Sequence, residues 1–286
     1  MIRQKDIVLK IFLSLLLFLG VAVLSGMLIT GAQAKNEPEL MENLDAFRAF
    51  AIDHSYLKGA SSWEDKQYRQ LVTSFLYNKS DLSHSVKECS ERGWYSLLLP
   101  ERIRKDYQDA FYMALSDGRY FPVAEDAEGG AVISYEDSWG GARTYGGDRK
   151  HEGTDLIPSV KQRGYLAVIS VSDGVVEKKG WLTLGGYRLG IRAPHGAYYY
   201  YAHLDHYAEN IDEGSNIKAG DVIGYMGDSG YGDEGTVGQF EVHLHFGIYL
   251  KLAEKEISIN PYPILKSLEG KRMEMRDRTQ GEERVT

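Results

Sequence analysis

Cysteine is all but absent from this chain: Cys89 stands alone among 286 residues. A single thiol excludes an internal disulfide and excludes thiolates as a ligand set for a metal, so the fold rests on packing and on any ion held by nitrogen and oxygen. Basic charge is also short, with 33 Lys and Arg against 41 Asp and Glu and a formal net charge of −8. That balance gives no support to nucleic-acid binding through a basic face, and it does not favour adhesion to anionic polymers. Histidine is scarce at eight residues, so any clustering of them is informative. Tyrosine, by contrast, is plentiful at 20 residues. On a half-buried sheet such residues cover the core; along a cleft they offer contact surface to sugar or peptide.

Residues 1–10 carry Arg3, Lys5 and Lys10, and residues 11–30 form an apolar run broken only by small polar residues. About 20 residues suffice to span a bilayer. The run closes on Ala32-Gln33-Ala34, a pattern open to signal peptidase. Its apolar core exceeds the about 7 to 15 residues of a cleaved signal, which favours an uncleaved single-pass anchor in the cell membrane. Secretion after cleavage behind Ala34 is the alternative. The basic flank predicts the amino end inside, and either outcome places the bulk of the chain outside the cytoplasm.

Residues 35–118 read as helical. Leu40, Leu44, Phe47 and Phe50 recur at spacings of three and four, as do Tyr68, Leu71, Val72 and Phe75. Ser61 or Ser62 is the expected cap of the second helix, and Pro100 precedes another containing Tyr107, Phe111 and Leu115. The expected product is a small helical region that spaces the rest from the membrane; occlusion of a cleft or docking of a protein partner are the alternatives. From Phe121-Pro122-Val123 the texture changes to short strands separated by Gly, Asp and Asn turns. Candidate strands are residues 131–135, 166–171, 174–178, 187–193, 197–202, 222–226 and 241–250, a spacing that indicates an all-β sandwich or barrel. Residues 266–286 are charged and read as a solvated tail.

Two stretches carry ligand types suited to a catalytic zinc: His151-Glu152-Gly153-Thr154-Asp155 and His243-Leu244-His245. A hydrolytic zinc takes three protein ligands and leaves a fourth position for water, whose pKa the metal lowers to about 7. In a strand the period of two sets His243 and His245 on one face, so one can bind metal while the other sits beside the bound water. Gly153, with Gly146-Gly147-Asp148 upstream, makes the first stretch a loop entering a strand at Asp155-Leu156-Ile157, not a helical pair. A third signal is Tyr198-Tyr199-Tyr200-Tyr201-Ala202-His203-Leu204, whose alternation places Tyr199, Tyr201 and His203 on one face. His54, His84, His195 and His206 lack partner spacing and are assigned to turns or to the helical region.

His-x-Gly-x-Asp, then Tyr-Ala-His-Leu, then His-Leu-His-Phe, closing on Asn260-Pro261, resembles the lysostaphin-like (LytM-type) zinc metallopeptidases of peptidoglycan. The likeness runs over residues 119–265, about half the chain. It includes Ser172-Asp173-Gly174-Val175-Val176 as a strand-turn segment and residues 217–227 as a Gly-punctuated hairpin. The resemblance implies a two-sheet antiparallel β domain of the duplicated-hybrid-motif kind, with a narrow groove across the zinc. It also implies one Zn²⁺ held by His151, Asp155 and His245, flanked by His203 and His243 as catalytic residues that orient the water, accept its proton or stabilise the oxyanion. Peptidoglycan peptides are the implied substrate. One departure is the acidic, Gly-rich run at residues 230–242 ahead of His-Leu-His, expected to form a longer loop on the groove rim. A non-catalytic envelope scaffold using the same groove, and a phosphocarrier on a related β scaffold, are the readings from other classes.

Overall fold

The computed structural model describes residues 44–84, 100–126, 130–144, 147–252 and 255–274. The apolar run at residues 11–30, the Ala-x-Ala pattern and Cys89 lie outside them. Among the described residues no helix is long and apolar enough to cross a membrane.

Three helices come first: α1 (Leu44–Ala49), α2 (Asp65–Tyr77) and α3 (Glu101–Leu115). The residues expected on their inner faces, Tyr68, Leu71, Val72 and Phe75 in α2 and Tyr107, Phe111 and Leu115 in α3, are buried. Phe111 lies at the centre, with ring centroids 5.2 Å from Phe47, 5.5 Å from Phe50 and 5.3 Å from Phe75. The cap of α2 is Glu64 and not Ser61 or Ser62, which fall in a 3₁₀ turn at Ala60–Ser62. The Glu64 side chain accepts from the Gln67 N–H while Gln67 Oε1 accepts from the Glu64 N–H at 3.0 Å. This reciprocal pair satisfies two helix-end donors where a serine would satisfy one.

Twelve strands follow among the described residues, beginning with β1 (Ile133–Ser134), β2 (Ala142–Arg143), β3 (Arg149–Lys150) and β4 (Thr154–Pro158). Then come β5 (Ala167–Ile169), β6 (Gly174–Leu182), β7 (Gly186–Arg192) and β8 (Tyr198–Tyr207). The last are β9 (Asn216–Ile217), β10 (Val222–Met226), β11 (Leu244–Leu252) and β12 (Lys255–Ile259), before helix α4 (Tyr262–Leu268). The expected antiparallel pairing holds throughout the ladders. Hydrogen bonding does not divide the strands into two large sheets. Ten strands join in one sheet of order β1-β4-β11-β8-β7-β6-β9, with β10 bonded to β5 and β8, and β12 bonded to β11; β2 and β3 form a separate hairpin. The reason lies in the length of β8. Residues 198–202 pair with β11, whereas Leu204, His206 and Tyr207 pair with β10, so one ladder continues into what would otherwise be a second layer.

At that junction β8 bulges. Leu189 pairs with Tyr201 and Tyr187 with Leu204, so Arg188 alone opposes both Ala202 and His203. His203 takes φ +62°, the left-handed region that non-glycine residues seldom adopt.

The helices are not set apart from the sheet, since the described residues from 44 onward fall in one compact unit. Arg48 of α1 makes the join. Its Nε donates to the Ser258 carbonyl at 3.0 Å, and its Nη2 donates to the Ser258 hydroxyl at 3.0 Å and to Glu152 Oε1 at 3.1 Å. Residues 266–274, expected as the start of a solvated tail, belong to the fold. Leu268 is buried, Lys271 and Met273 accept from the Phe121 and Glu125 N–H groups at 3.0 and 2.8 Å, and Met273 packs with Tyr120, Val222 and Tyr225 on a core of Ala124, Ala167 and Ile169. Residues 275–286 lie outside the described residues.

Candidate metal centre and cleft

β4 and β11 are antiparallel neighbours in which Asp155 and His245 are direct cross-strand partners, so one register step sets both side chains on the same face. His151 arrives from the β2–β3 hairpin. Its N–H donates to the Gly141 carbonyl and its carbonyl accepts from the Gly140 N–H, both at 2.8 Å. Between His151 and Asp155 the chain passes so close to β11 that a Cβ on Gly153 would lie 2.6 Å from His245 Cε1 and Nε2 and from the Phe246 carbonyl oxygen. The position is limited to glycine by space alone.

Three ligand atoms converge. His151 Nε2 is 3.1 Å from Asp155 Oδ1, His245 Nδ1 is 3.0 Å from the same oxygen, and the two nitrogens are 3.0 Å apart. Among the described residues these three form a group able to hold a metal ion. The donor chemistry fits a cation. His151 Nδ1 lies 3.1 Å from the Ser138 carbonyl oxygen, which can only accept, so Nδ1 carries the proton of the neutral ring and Nε2 presents its lone pair. That lone pair then faces a carboxylate oxygen, a repulsive arrangement that an ion between them turns attractive. Two nitrogens and one oxygen at this spacing match the ligand preference of zinc, whose tetrahedral ligands at about 2.0–2.2 Å are roughly 3.3 Å apart.

Asp155 is held from both sides. Its Oδ2 accepts from Arg143 Nη2 at 2.6 Å, a partner on the two-residue strand β2 that no sequence spacing advertises. Burial alone would raise the Asp155 carboxyl, but its close contacts with the His151 and His245 imidazoles outweigh it and hold the group well below the carboxylate range. Burial also lowers the His245 and His243 imidazoles, and it lowers His203 far below its ordinary value, with the neighbouring His243 and His245 adding to the effect. Neutral rings are the form that ligates metal or accepts a proton.

His203 and His243 stand beside the triangle with ring centroids 4.7 Å apart. Strand alternation puts His203 on the core face with Tyr199 and Tyr201, and this expectation fails. The bulge turns it to the cleft, where it lines the same cavity as the three ligands. Both rings are fixed alike: His203 Nδ1 donates to the Ser229 carbonyl at 2.9 Å and His243 Nδ1 to the Glu241 carbonyl at 2.7 Å. Each neutral ring therefore turns an Nε2 lone pair toward the cleft. His243 sits on an isolated bridge to Gly227, just before β11 begins, so it and His245 do share a face.

The cavity is about 750 Å³. The run at residues 230–242 lies on its rim, as expected, and sets Phe240 against His203 with ring centroids 4.6 Å apart and Tyr231 against Phe240 at 4.7 Å. Tyr198, Tyr200, Tyr249 and Arg188 line the remainder. The tyrosines were open to this role from composition; Arg143 and Arg188 were not signalled. The other histidines stay away from the metal group. His195 Nδ1 is 2.8 Å from Asp117, His206 stacks on Tyr225 at 4.5 Å, and His54 and His84 neighbour Asp53 and Ser83.

Residues 149–261 match the peptidase family M23. The chain belongs to this family, in which the lysostaphin-like and LytM-type resemblance of its motifs is confirmed. A protein from Ruminococcus gnavus ATCC 29149, described as a glycyl-glycine endopeptidase LytM, is 42% identical, with a TM-score of 0.67 over 80% of this chain and 92% of its own. The L-Ala–D-Glu endopeptidase of Bacillus subtilis (strain 168) is 46% identical over 136 residues, which is 48% of this chain and 40% of that protein. The glycyl-glycine endopeptidase ALE-1 of Staphylococcus capitis is 30% identical over 119 residues, 41% of this chain and 29% of that protein. The chain thus spans less than half the length of these two relatives.

Proposed function

We propose that this chain is an exported zinc endopeptidase that hydrolyses peptide bonds in bacterial peptidoglycan, carried to its substrate by residues 1–34 as anchor or cleaved signal. The observation that supports it most is the convergence of His151 Nε2, Asp155 Oδ1 and His245 Nδ1 in a cleft that also receives the Nε2 lone pairs of His203 and His243. The three ligands would hold one Zn²⁺, which supplies a Lewis acid and an acidified water for attack on a carbonyl.

The protein's own groups do the rest. An Nε2 of His203 or His243 accepts the proton of the attacking water, and the charge that appears is spread through Nδ1–H to the Ser229 or Glu241 carbonyl. The protonated ring then donates, to the oxyanion or to the departing amine nitrogen. Arg143 keeps Asp155 turned so that Oδ1 faces the ligand group. Tyr231 and Phe240 cover the histidines and exclude bulk water.

Of the bonds named for its relatives we favour the L-Ala–D-Glu kind. Arg149, Lys150 and Arg188 line the cleft, and a glycyl-glycine segment offers no side-chain charge to them. Glutamate does: it has two carboxyl groups, and chain extension uses only one.

The test is zinc per chain by elemental analysis, together with mass spectrometry of peptides released from purified peptidoglycan, on residues 35–286 with a His245→Ala control. One zinc, and release that disappears in the control, is the expected result. Release at the wild-type rate from His245→Ala would overturn the assignment. A reporter fused after Thr286 that is active outside the cytoplasm tests export.

A further inference from the structure

Among the described residues every carboxylate of the cleft is paired, whereas one of its partly buried cations is not. Each carboxylate on the lining has a guanidinium: Glu152 accepts from Arg48 at 3.1 Å, Glu256 from Arg192 at 2.8 Å and Asp155 from Arg143 at 2.6 Å. Arg149 reaches the Tyr231 hydroxyl at 3.4 Å, and Lys150 is exposed to water. Arg188 is half-buried in the lining. No hydrogen bond or ion pair of its side chain is found among the described residues, and its Nη1 is wholly buried without a partner. A guanidinium nitrogen withdrawn from water and left unpaired is costly, and such a group persists in a binding cleft when a ligand completes it.

Its place in the fold says which part of a ligand. Arg188 is the β7 residue opposite the Ala202–His203 bulge. Neighbouring strands are about 4.8 Å apart, so its guanidinium serves a group within roughly one residue of a bond held beside His203. The Tyr200 hydroxyl stands nearby. Burial pushes it up to about 12 against the opposing pull of Arg188, so it remains an O–H donor at neutral pH.

We propose that Arg188 binds a carboxylate on the substrate residue next to the cleaved bond and thereby selects an acidic residue there, an inference that rests on the endopeptidase reading of the cleft. A carboxylate suits it best, because the planar fork of guanidinium donors pairs bidentately with two carboxylate oxygens. A glycine at the same place would leave Nη1 unsatisfied.

The test uses the zinc-loaded protein and two peptides that contain an L-Ala–D-Glu bond and differ only in whether the free glutamyl carboxyl is a carboxylate or a carboxamide. The wild type should favour the carboxylate by about 10- to 100-fold in kcat/KM, mostly through KM, the range given by one lost hydrogen-bonded charge. Arg188→Gln should abolish that preference with zinc content unchanged. Arg188→Lys, which keeps a point charge but loses the fork, should retain part of it, and it serves as the readout if the glutamine variant fails to fold.

Undiminished preference in the folded Arg188→Gln protein, or in Arg188→Lys if the former does not fold, would overturn the proposal. So would no preference in the wild type, and that outcome leaves the endopeptidase intact if both peptides are cut. If neither is cut, calorimetric binding of the same two peptides decides. A carboxylate preference lost in Arg188→Gln, or diminished in Arg188→Lys should that variant be needed, supports the carboxylate site while the hydrolytic reading falls; equal binding of both peptides, or a preference unchanged in the variant, sinks the carboxylate site.

Discussion

Tyr199 and Tyr201, on one face of β8, are buried against Phe246, with ring centroids 6.1 and 5.4 Å away. Tyr198 and Tyr200, on the other face, line the cleft. Four tyrosines in a row thus divide between stability and recognition by parity alone. His203 has the parity of the core face and still reaches the cleft, because Ala202 and His203 together oppose the single residue Arg188. The bulge shifts the alternation by one residue, which converts a core position into a site position. In this sheet a local irregularity, and not residue type, decides which side chains face the cleft.

Several substitutions separate the two faces. His245→Ala should have the largest effect, with zinc per chain falling toward zero and peptide release falling to background. His203→Ala should keep its zinc while kcat drops by about 10²- to 10⁴-fold, the usual range for a lost acid–base group; full activity would show that the bulge delivers the wrong residue. On the core face, Tyr201→Ala should lower unfolding stability by about 3–5 kcal/mol in a denaturant titration, since it also strands the Val171 N–H that donates to the Tyr201 hydroxyl at 3.0 Å. On the cleft face, Tyr200→Phe should change stability by under about 0.5 kcal/mol and show itself only as a raised KM.

Acidity probes the same contrast. Burial lowers His203, His243 and His245 from the ordinary 6.5. For groups depressed in the folded protein, the stability contribution is whole above the unfolded value and is lost as pH falls through the folded values. Stability and zinc retention should therefore hold down to about pH 6.5 and decline below it. A decline that begins above pH 6.5 would contradict the burial of these rings.

The candidate metal ligands were legible because the chemistry of a metal site demands a few residue types at short spacings, and Gly153 marks the tight approach between them. The inner faces of α2 and α3 were legible from spacing, as were β7 and β10 from apolar runs between turns. Other features had no sequence signal. His203 carries the alternation of a core residue, and only the pairing of β7 with β8 reveals the bulge. Arg143 and Arg188 are single cations whose meaning depends on which carboxylates lie across from them. The unity of the sheet depends on how far the β8 ladder extends, and β2, β3 and β9 are two residues each. Residues 266–274 look charged and solvated, yet Leu268 and Met273 close the core beside β5 and β10.

Arg48 gives the helical layer a hold on the loop that carries His151, through Glu152 and Ser258. A fragment cut to the β-strands alone would lose that hold together with the aromatic cluster around Phe111. It would then present two faults at once: an uncovered apolar surface that invites aggregation, and a His151 loop whose acidic residue, Glu152, has lost its counter-charge. Poor solubility and weakened zinc affinity would travel together in such a fragment, and restoring α1 through α3 on the same chain would be the way to recover both.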